Sequence, residues 1–248
     1  MDKSAYEKLV DMASTPEAME ASVNYLYEQF AFIKPNENVL ICFTRKQPNE
    51  IGSLFEKAVL RRGAVPVFWE NDFRWKTLLR QAFLNRVTTV IGPPMVVLGL
   101  SKIARFNATP LFVRNVVTAG YPSMKWMVEG IARGFDCNSF GCFTPGGRVI
   151  AGFTCKKTAG IHVRDDVYGV EIQNPDENGL GDMVIFDKTL PDLKYPVGEK
   201  ARLIDADNCG MMERHLVDCQ PGEASDLQLD AIHQNLINWT SVLVCRVR

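Results

Sequence analysis

Four residues of the types that bind zinc fall in two short stretches of the sequence. Cys155 and His162 are separated by six residues, and Asp207 and Cys209 by one. Zinc in proteins is held by Cys, His and carboxylate side chains, commonly four in a tetrahedron. The spacing predicts two turns that bring these four side chains to one structural zinc ion. The alternative is that Cys155 is a small core residue and His162 a half-buried strand residue.

A second group of residues is suited to an organic ligand. Gly141, Gly146 and Gly147 form a glycine-rich stretch that follows a β-like run and ends in Arg148, which is typical of a tight turn. Glu199 ends a predicted glycine turn, where a carboxylate can accept hydrogen bonds from a sugar diol. A solvated surface acid is the alternative interpretation of Glu199.

Other familiar catalytic patterns do not occur in the sequence. It has no phosphate-binding loop ending in Lys-Ser/Thr, no Gly-x-Ser-x-Gly and no Gly-x-Gly-x-x-Gly opening a helix. His215 and His233 have no partner at a matching spacing and are predicted to lie at the surface. The pair Asp165-Asp166 is predicted to be a solvated strand edge. Four large side chains are assigned to core packing: Trp69, Trp75, Trp126 and Met127.

Alternating helix and strand patterns over the first two thirds of the chain must position these residues. A helix is predicted after Thr15-Pro16, because a hydroxyl cap precedes a proline that needs no amide hydrogen. Continuous apolar runs predict strands that are buried on both faces of a parallel sheet. The predicted strands are Val39–Phe43, Val65–Trp69, Thr88–Ile91 and Leu111–Val117. Further helices are predicted from about Glu50 to Gly63, over Trp75–Arg86, over Met95–Phe106 and after Ser123.

The sequence becomes rich in short β-like runs after about Asp136. These runs are Phe140–Phe143, Val149–Phe153, Ile161–Val163, Val167–Ile172, Met183–Phe186 and Ala201–Ile204. The expected fold is α/β, with a mostly parallel sheet, flanking helices and a smaller β-rich layer or partial barrel. We expect one compact unit with an α/β region over residues 1–135, a β-rich region over 136–210 and an extension over 211–248. The extension is predicted to hold a helix over Ala224–Trp239 and a strand over Ser241–Val247.

Composition and charge exclude several classes of protein. The chain has 248 residues, of which 46% are hydrophobic, as in ordinary globular proteins. Its 28 basic and 29 acidic residues nearly cancel, which argues against nucleic acid as a partner. No apolar run is long enough for a membrane span, and the start, MDKSAYEKLV, is not a secretory signal. Seven irregularly spaced cysteines favour reduced thiols or metal ligation in the cytoplasm.

Six segments, taken in chain order, resemble the motifs of one family. They are Ala119–Pro122, Phe140–Thr144, Gly160–Ile172, Gly179–Phe186, Tyr195–Glu199 and Ala201–Leu203. They resemble motifs of adenylate-forming acyl ligases. In the same order, those motifs are Gly-Glu-Pro, aromatic-Gly-x-Thr/Ser-Glu, Gly-Leu-His-Ile with Val-Glu-Ile, Gly-Glu-Leu-Val, Tyr-Arg-Thr-Gly-Asp and Arg-Leu. The resemblance is to the phenylacetate–coenzyme A ligase type and covers about Thr15 to Gly210.

The resemblance implies both a fold and a set of site residues. The fold would be part of the large N-terminal domain of these ligases, with AMP or ATP as the nucleotide. The nucleotide cleft would be lined by residues from three of the motifs: Gly120, Tyr121, Phe140, Gly141 and Glu199. The resemblance also supports zinc, because some of these ligases place a Cys, the Gly-Leu-His histidine and a later Cys-x-Cys-Gly turn around one ion. Cys155, His162 and Cys209 match that set, and Asp207 replaces its other cysteine.

Several departures from the family pattern bear on activity. The resemblance implies that the phosphate loop would precede the first residue of the sequence, and we expect no C-terminal domain with a catalytic lysine after Gly210. The magnesium-binding acid is replaced by Thr144 or Pro145, the ribose-binding Asp by Glu199 and a neighbouring Arg by Pro196. Since each lost group that stabilises transferring charge costs roughly 3 kcal/mol, we expect that the chain does not catalyse adenylation alone.

Three functions follow from these sequence features. The leading hypothesis is a degenerate relative that binds a small aryl or acyl carboxylate, a nucleotide or a partner enzyme. The first alternative is an acyl– or aryl–coenzyme A ligase, or an acyl-protein synthetase, that a partner chain or the mate in a homodimer completes. The second alternative is a structural subunit that contains zinc.

Overall fold

The computed structural model describes residues 4–43, 50–69, 75–121, 123, 125–154, 160–204 and 214–221. The helices are α1 (Ala5–Ala13), α2 (Pro16–Gln29), α3 (Ile51–Arg61), α4 (Trp75–Leu84), α5 (Pro94–Phe106) and α6 (Lys125–Phe135). The strands are β1 (Asn38–Ile41), β2 (Val65–Phe68), β3 (Thr89–Gly92), β4 (Asn115–Thr118), β5 (Asn138–Phe143), β6 (Gly152–Thr154), β7 (Ile161–Val163), β8 (Tyr168–Gln173), β9 (Gly181–Asp187), β10 (Tyr195–Ile204) and β11 (His215–Pro221). The predictions for Ala224–Trp239 and Ser241–Val247 lie outside the described residues.

The first two helices begin at residues whose side chains cap them. Ser4 and Glu7 form a reciprocal capping box, in which each side chain accepts a hydrogen bond from the other residue's backbone amide. Thr15 caps α2 by accepting a hydrogen bond from the amide of Ala18 at 3.2 Å, and Pro16 follows at the first helical position. The helix start predicted at Thr15 is therefore confirmed.

The N-terminal half of the sheet is parallel and covered on both faces. The strands lie in the order β2-β1-β3-β4-β5, and every pairing within this set is parallel. In β1, Leu40 faces the core formed with α4, α5 and α6, whereas Val39 and Ile41 face the core formed with α2 and α3. All three side chains are fully buried, which explains why the strand is continuously apolar.

Strand β5 joins this parallel set to an antiparallel one. Its residues up to Gly141 pair in parallel with β4, and Cys142 and Phe143 pair antiparallel with β6. The sheet continues in the order β6-β7-β11-β10-β9-β8, with every pairing antiparallel. The expected α/β class, a parallel sheet with helices followed by a β-rich part, is confirmed.

Three local expectations differ from the structure. The strand predicted from Leu111 begins only at Asn115, because residues 111–114 take an irregular path. The predicted turn before Glu199 lies inside β10, where Gly198 has φ +77° and the register with β9 shifts, so Glu199 follows a bulge within a strand. Trp126 is 38% exposed on α6 rather than part of the core. Among the helices of the described part of the chain, none is long and apolar enough to cross a membrane.

Candidate ligand-binding site

A cavity of about 460 Å³ lies where the carboxyl ends of β4 and β5 meet the antiparallel strands. In open α/β sheets this edge is the usual place for a ligand. Four of the five residues predicted to contact a nucleotide line the cavity, namely Tyr121, Phe140, Gly141 and Glu199. The structure therefore brings together residues from three segments that are far apart in the sequence.

Gly120, the fifth predicted residue, is not among the described lining residues but contacts one of them. Its φ of +96° falls in the left-handed region, and a Cβ atom there would be 3.3 Å from the ring of Phe43. The Gly120 amide donates a hydrogen bond to Thr144 Oγ1 at 2.6 Å, and Thr144 itself lines the cavity. Gly120 thus fixes a wall residue, and its own atoms are not part of the described lining.

Tyr121 is held by the first turn of α5. The backbone amide of Met95 donates a hydrogen bond to the Tyr121 hydroxyl at 3.2 Å. Burial raises the pKa of Tyr121 to about 12, against a smaller lowering by this hydrogen bond. The side chain is therefore a neutral phenol at physiological pH, with its hydroxyl tied back to the protein and its ring available to a ligand.

Phe140 and Gly141 form the wall at the point where β5 changes partners. The Phe140 ring stacks on Phe32 with centroids 4.5 Å apart and planes 9° from parallel. The amide of Gly141 donates a hydrogen bond to Thr154 Oγ1, and the Thr154 hydroxyl donates to the Gly141 carbonyl at 3.0 Å. A Cβ atom on Gly141 would lie 2.9 Å from the same oxygen, so this close approach requires glycine.

Glu199 supplies a carboxyl group from β10. Burial raises the pKa of Glu199 from 4.5 to about 8, because a charge in a poorly solvated site is unfavourable. At neutral pH the group is mostly protonated and can donate one hydrogen bond as well as accept others. Glu199 is therefore not the solvated turn acid of the alternative interpretation, and its contact with a sugar diol stays a prediction.

The charge of the cavity wall restricts what it can hold. The acidic lining residues include Glu129, Glu199 and Asp218, and Asp218 forms an ion pair with Arg202 at 2.7 Å. None of the described lining residues is Lys or Arg. These walls offer aromatic surface, hydroxyl groups and carboxyl groups, which suit a ring or a sugar better than a triphosphate.

The predicted zinc site is only partly within the described residues. His162 lies in β7, whereas Cys155, Asp207 and Cys209 lie outside the described residues. Within those residues, no three or more His, Cys, Asp or Glu side chains are grouped so that they could hold a metal ion. The neighbour that the structure places beside His162 is His215, which is directly across the β7–β11 pairing.

The expectation that His215 lies at the surface is wrong. Its side chain is fully buried, and His162 is 6% exposed. The two Nε2 atoms are 3.1 Å apart. Sequence reasoning missed this pair because 53 residues separate the two histidines, and only the order of strands in the sheet makes them neighbours.

Asp165 also differs from the expectation, whereas Asp166 is a solvated acid as predicted. Arg214 donates hydrogen bonds to both Asp165 oxygens, at 2.9 and 3.3 Å. Partial burial opposes ionisation of Asp165, but the contacts with Arg214 outweigh it and lower the pKa. Asp166 is solvated, yet it lies 3.7 Å from the buried guanidinium of Arg164. Asp165 is therefore part of the contact between the β7–β8 connection and Arg214, next to β11, rather than a free strand edge.

Comparison with known proteins supports the fold but does not assign the chain to a family. No protein-family model matches the chain, and no curated protein matches it. Solved structures do match. An open conformation of 2-hydroxyisobutyryl-CoA ligase in complex with 2-HIB-AMP and CoA has a TM-score of 0.66 and 13% identity, covering 80% of this chain and 48% of that one.

Two further solved structures have the same architecture. The amide bond synthetase McbA from Marinactinospora thermotolerans has a TM-score of 0.55 and 15% identity, over 81% of this chain and 44% of that one. The N-terminal domain of FACL13 from Mycobacterium tuberculosis has a TM-score of 0.52 and 13% identity, over 79% of this chain and 55% of that one. The chain spans about half the length of these proteins, and its fold matches part of the N-terminal domain of an adenylate-forming enzyme.

Proposed function

We propose that the chain is a degenerate protein of the phenylacetate–coenzyme A ligase type that binds a small aryl or acyl carboxylate, or the nucleoside part of its adenylate, without catalysing adenylation alone. One observation carries the proposal. Tyr121, Phe140, Gly141 and Glu199, predicted from separate motifs, line one cavity whose described walls carry no Lys or Arg.

The chemistry of the walls supports a ring and a diol as the bound groups. Phe140 and Tyr121 line the cavity with aromatic carbon, against which an adenine or aryl ring can pack. Glu199, mostly protonated at neutral pH, can both donate to and accept from the hydroxyl groups of a ribose. A triphosphate requires cationic or magnesium-bound partners, and the described walls do not supply them. The similar 2-hydroxyisobutyryl-CoA ligase binds 2-HIB-AMP and CoA, and the first of these is an adenylate, the class of ligand proposed for this cavity.

Calorimetry with AMP, ATP, benzoate and phenylacetate tests the proposal. We expect AMP or an aryl acid to bind, and ATP to bind no more tightly than AMP because the described walls offer no Lys or Arg to the additional phosphates. Phe140→Ala should weaken binding, whereas the matched control Phe112→Ala should not, since Phe112 is an exposed ring outside the cavity. The proposal is wrong if no AMP or acid binds, or if the purified chain alone exchanges pyrophosphate into ATP when given an acid.

The structural similarity to complete ligases favours a second candidate function. In this case a partner chain, or the second copy in a homodimer, supplies the phosphate-binding loop and the lysine, and the assembly is an acyl– or aryl–coenzyme A ligase or an acyl-protein synthetase. Carboxylate-dependent pyrophosphate exchange that appears only with a co-purified chain would establish this function. Exchange that is absent from both the chain and its complexes would exclude it.

Zinc is proposed as a structural ion, with Cys155, His162, Asp207 and Cys209 as the donors predicted from the sequence. Of these donors the described residues include His162, which is buried and has His215 Nε2 at a hydrogen-bond distance of 3.1 Å. Neutral imidazole is a common zinc ligand. A zinc-containing structural subunit without ligand binding is the outcome expected if calorimetry finds no ligand and elemental analysis finds one zinc per chain.

A further inference from the structure

Basic residues are unevenly distributed along the chain. Between residues 73 and 128 the sequence holds eight of its 28 Lys and Arg residues and none of its 29 Asp and Glu residues. The remainder is therefore net acidic, although the whole chain is almost neutral. Six of these cationic side chains lie in the described part of the chain and are exposed, namely Lys76, Arg80, Arg86, Lys102, Arg105 and Arg114.

Five of these cations line three hollows that adjoin one another. The first hollow, of about 470 Å³, lies between α4 and residues 107–110. The second, of about 310 Å³, shares residues 108–110 with the first, and the third, of about 480 Å³, shares Leu111 with the second. The five cations at the walls are Lys76, Arg80, Arg86, Arg105 and Arg114. We call the three hollows together the basic groove.

Aromatic rings lie among the cations of the basic groove. Phe83, which lines the first hollow, is 40% exposed, and Phe112, which lines the third, is 47% exposed. The guanidinium carbon of Arg86 lies 5.5 Å from the centre of the Phe112 ring, which is a cation–π contact. Phe112 belongs to residues 111–113, an apolar run that does not join β4. Exposed aromatic rings among arginines are typical of protein interfaces.

Most cations of the groove have no carboxylate partner within the described part of the chain. Arg114 is the exception, because it forms an ion pair with Glu37. The other four form no ion pair with a described residue. At the rim, the exposed Asp136 follows Phe135, which lines the second hollow. The groove therefore carries positive charge that its described surroundings do not neutralise, and an acidic partner would gain favourable contacts there.

We propose that the basic groove binds an acidic segment of a partner protein, in which aromatic or aliphatic side chains alternate with carboxylates. The carboxylates pair with the free cations, and Arg80, Arg86 and Arg105 can each hold one through two parallel hydrogen bonds. The apolar side chains enter the hollows beside Phe83 and Phe112.

Two other kinds of polyanion fit the groove less well. A bilayer surface is flat, whereas the groove consists of three concavities. A nucleic acid carries phosphates along its whole length, and beyond the groove it would meet the net acidic remainder of the chain. A short protein segment can place side chains in the hollows and end where the cations end.

The basic groove and the ligand cavity lie at opposite ends of the parallel strands. Arg114, which lines the groove, directly precedes β4, whereas Thr118, the last residue of β4, lines the cavity. The proposal therefore does not depend on what the cavity binds, and the two sites can be tested separately.

The first experiment measures the binding of labelled synthetic peptides to the full chain by fluorescence anisotropy. The probe repeats Glu-Leu-Asp-Phe, and two comparison peptides repeat Lys-Leu-Lys-Phe and Glu-Ser-Asp-Ser, so that charge and apolar content change separately. The probe should bind, each comparison peptide should bind at least roughly 10-fold more weakly, and salt should weaken the binding of the probe. No binding of the probe at low salt, or equal binding of the lysine peptide, would overturn the proposal.

The second experiment repeats the titration with variants at exposed positions. Arg80→Glu and Arg105→Glu should each weaken binding of the probe about 10-fold, because a repulsion replaces an attraction. Phe112→Ala should weaken it about 5-fold by removing an apolar contact. Lys57→Glu is the matched control, since it makes the same change of charge on α3, against the other face of the sheet. Unchanged binding in both arginine variants would also overturn the proposal.

The same variants distinguish the other occupants. Oligothymidylate or phosphatidylserine vesicles that bind the wild type more tightly than the probe, and no longer bind Arg80→Glu, would overturn the proposal in favour of nucleic acid or membrane. Self-association in analytical ultracentrifugation that Arg80→Glu abolishes would overturn it in favour of a second copy of the chain. AMP binding is measured on the same samples. Loss of probe binding with AMP binding intact contradicts this inference alone, and the reverse result contradicts the ligand-binding function alone.

Discussion

Replacing Glu199 with glutamine should change how the stability of the protein depends on pH. The pKa of the Glu199 carboxyl is raised by burial from 4.5 to about 8. In the unfolded chain the carboxyl titrates near its ordinary value. Between about pH 4.5 and 8 the folded state therefore binds more protons than the unfolded state, and the contribution of this group to the free energy of unfolding falls as the pH rises. The contribution of Glu199 to stability is therefore fully present below about pH 4.5 and is lost by about pH 8, above which it no longer changes.

The size of the effect follows from the same two pKa values. One pKa unit corresponds to about 1.4 kcal/mol, so the change from 4.5 to about 8 sets an upper limit of about 5 kcal/mol. Glu199 lines a cavity and is not fully removed from water, which reduces the cost of its charge. We expect about half of the limit, on the order of 2 kcal/mol. Glutamine has nearly the same shape and cannot ionise, so the variant should lose this pH dependence.

Urea unfolding at a series of pH values from about 5 to 9 measures the difference. The free energy of unfolding of the wild type should fall relative to that of Glu199→Gln by about 2 kcal/mol across this range. Glu129→Gln is the matched control for exchanging a carboxyl group for an amide at the same cavity, since Glu129 lies on α6, is solvent-exposed and lies 3.9 Å from Arg133. The profile of Glu199→Gln should differ from those of both the wild type and this control. Parallel profiles for the wild type and Glu199→Gln would refute the view that Glu199 is buried and mostly protonated at neutral pH.

Four further substitutions have expected effects on urea unfolding. Thr154→Val removes the hydroxyl that both accepts from and donates to the Gly141 backbone, so it should cost about 1–3 kcal/mol and weaken AMP binding; an unchanged stability and affinity would contradict this role. Arg164→Lys should cost about 2 kcal/mol, because lysine cannot reproduce the planar contacts of a guanidinium that donates to Ser22 and lies over the Tyr25 ring; a variant as stable as the wild type would contradict it. Met127→Ala should lower the free energy of unfolding by about 2–5 kcal/mol, because Met127 is fully buried on α6. Trp126→Ala should lower it clearly less, because Trp126 is partly exposed. Equal losses of stability in the two variants would show that Trp126 is a core residue after all.

The parallel half of the fold was predictable because its signals are local. Each strand is a short apolar run between helical patterns, and burial on both faces makes the run continuous. The start of β4 was less predictable, since Leu111, Phe112 and Val113 are apolar but do not pair with β3. Trp126 was misassigned because it is adjacent to buried Met127. Neighbouring residues of a helix point about 100° apart, so one can face solvent while the other is in the core.

The candidate site was predictable where a motif carries its own geometry. Phe140, Gly141 and Tyr121 belong to short segments whose backbone shape places them at the strand ends. The environment of Glu199 was not predictable, because its burial depends on a bulge in β10 and on the distant strand β11. The pairing of His162 with His215 required the strand order of the antiparallel half, which a sequence does not contain as a local pattern.

The dual pairing of β5 determines where the chain can be divided. A fragment that ends before Asn138 would leave β4 with a row of unsatisfied amide and carbonyl groups along its length, which is a template for aggregation. A fragment that begins at Asn138 would start with β5, which pairs with β6 only through Cys142 and Phe143. The earlier residues of β5 would then have no partner strand. Expression of either piece should therefore give insoluble material, and a soluble half requires β5 to be supplied together with β4.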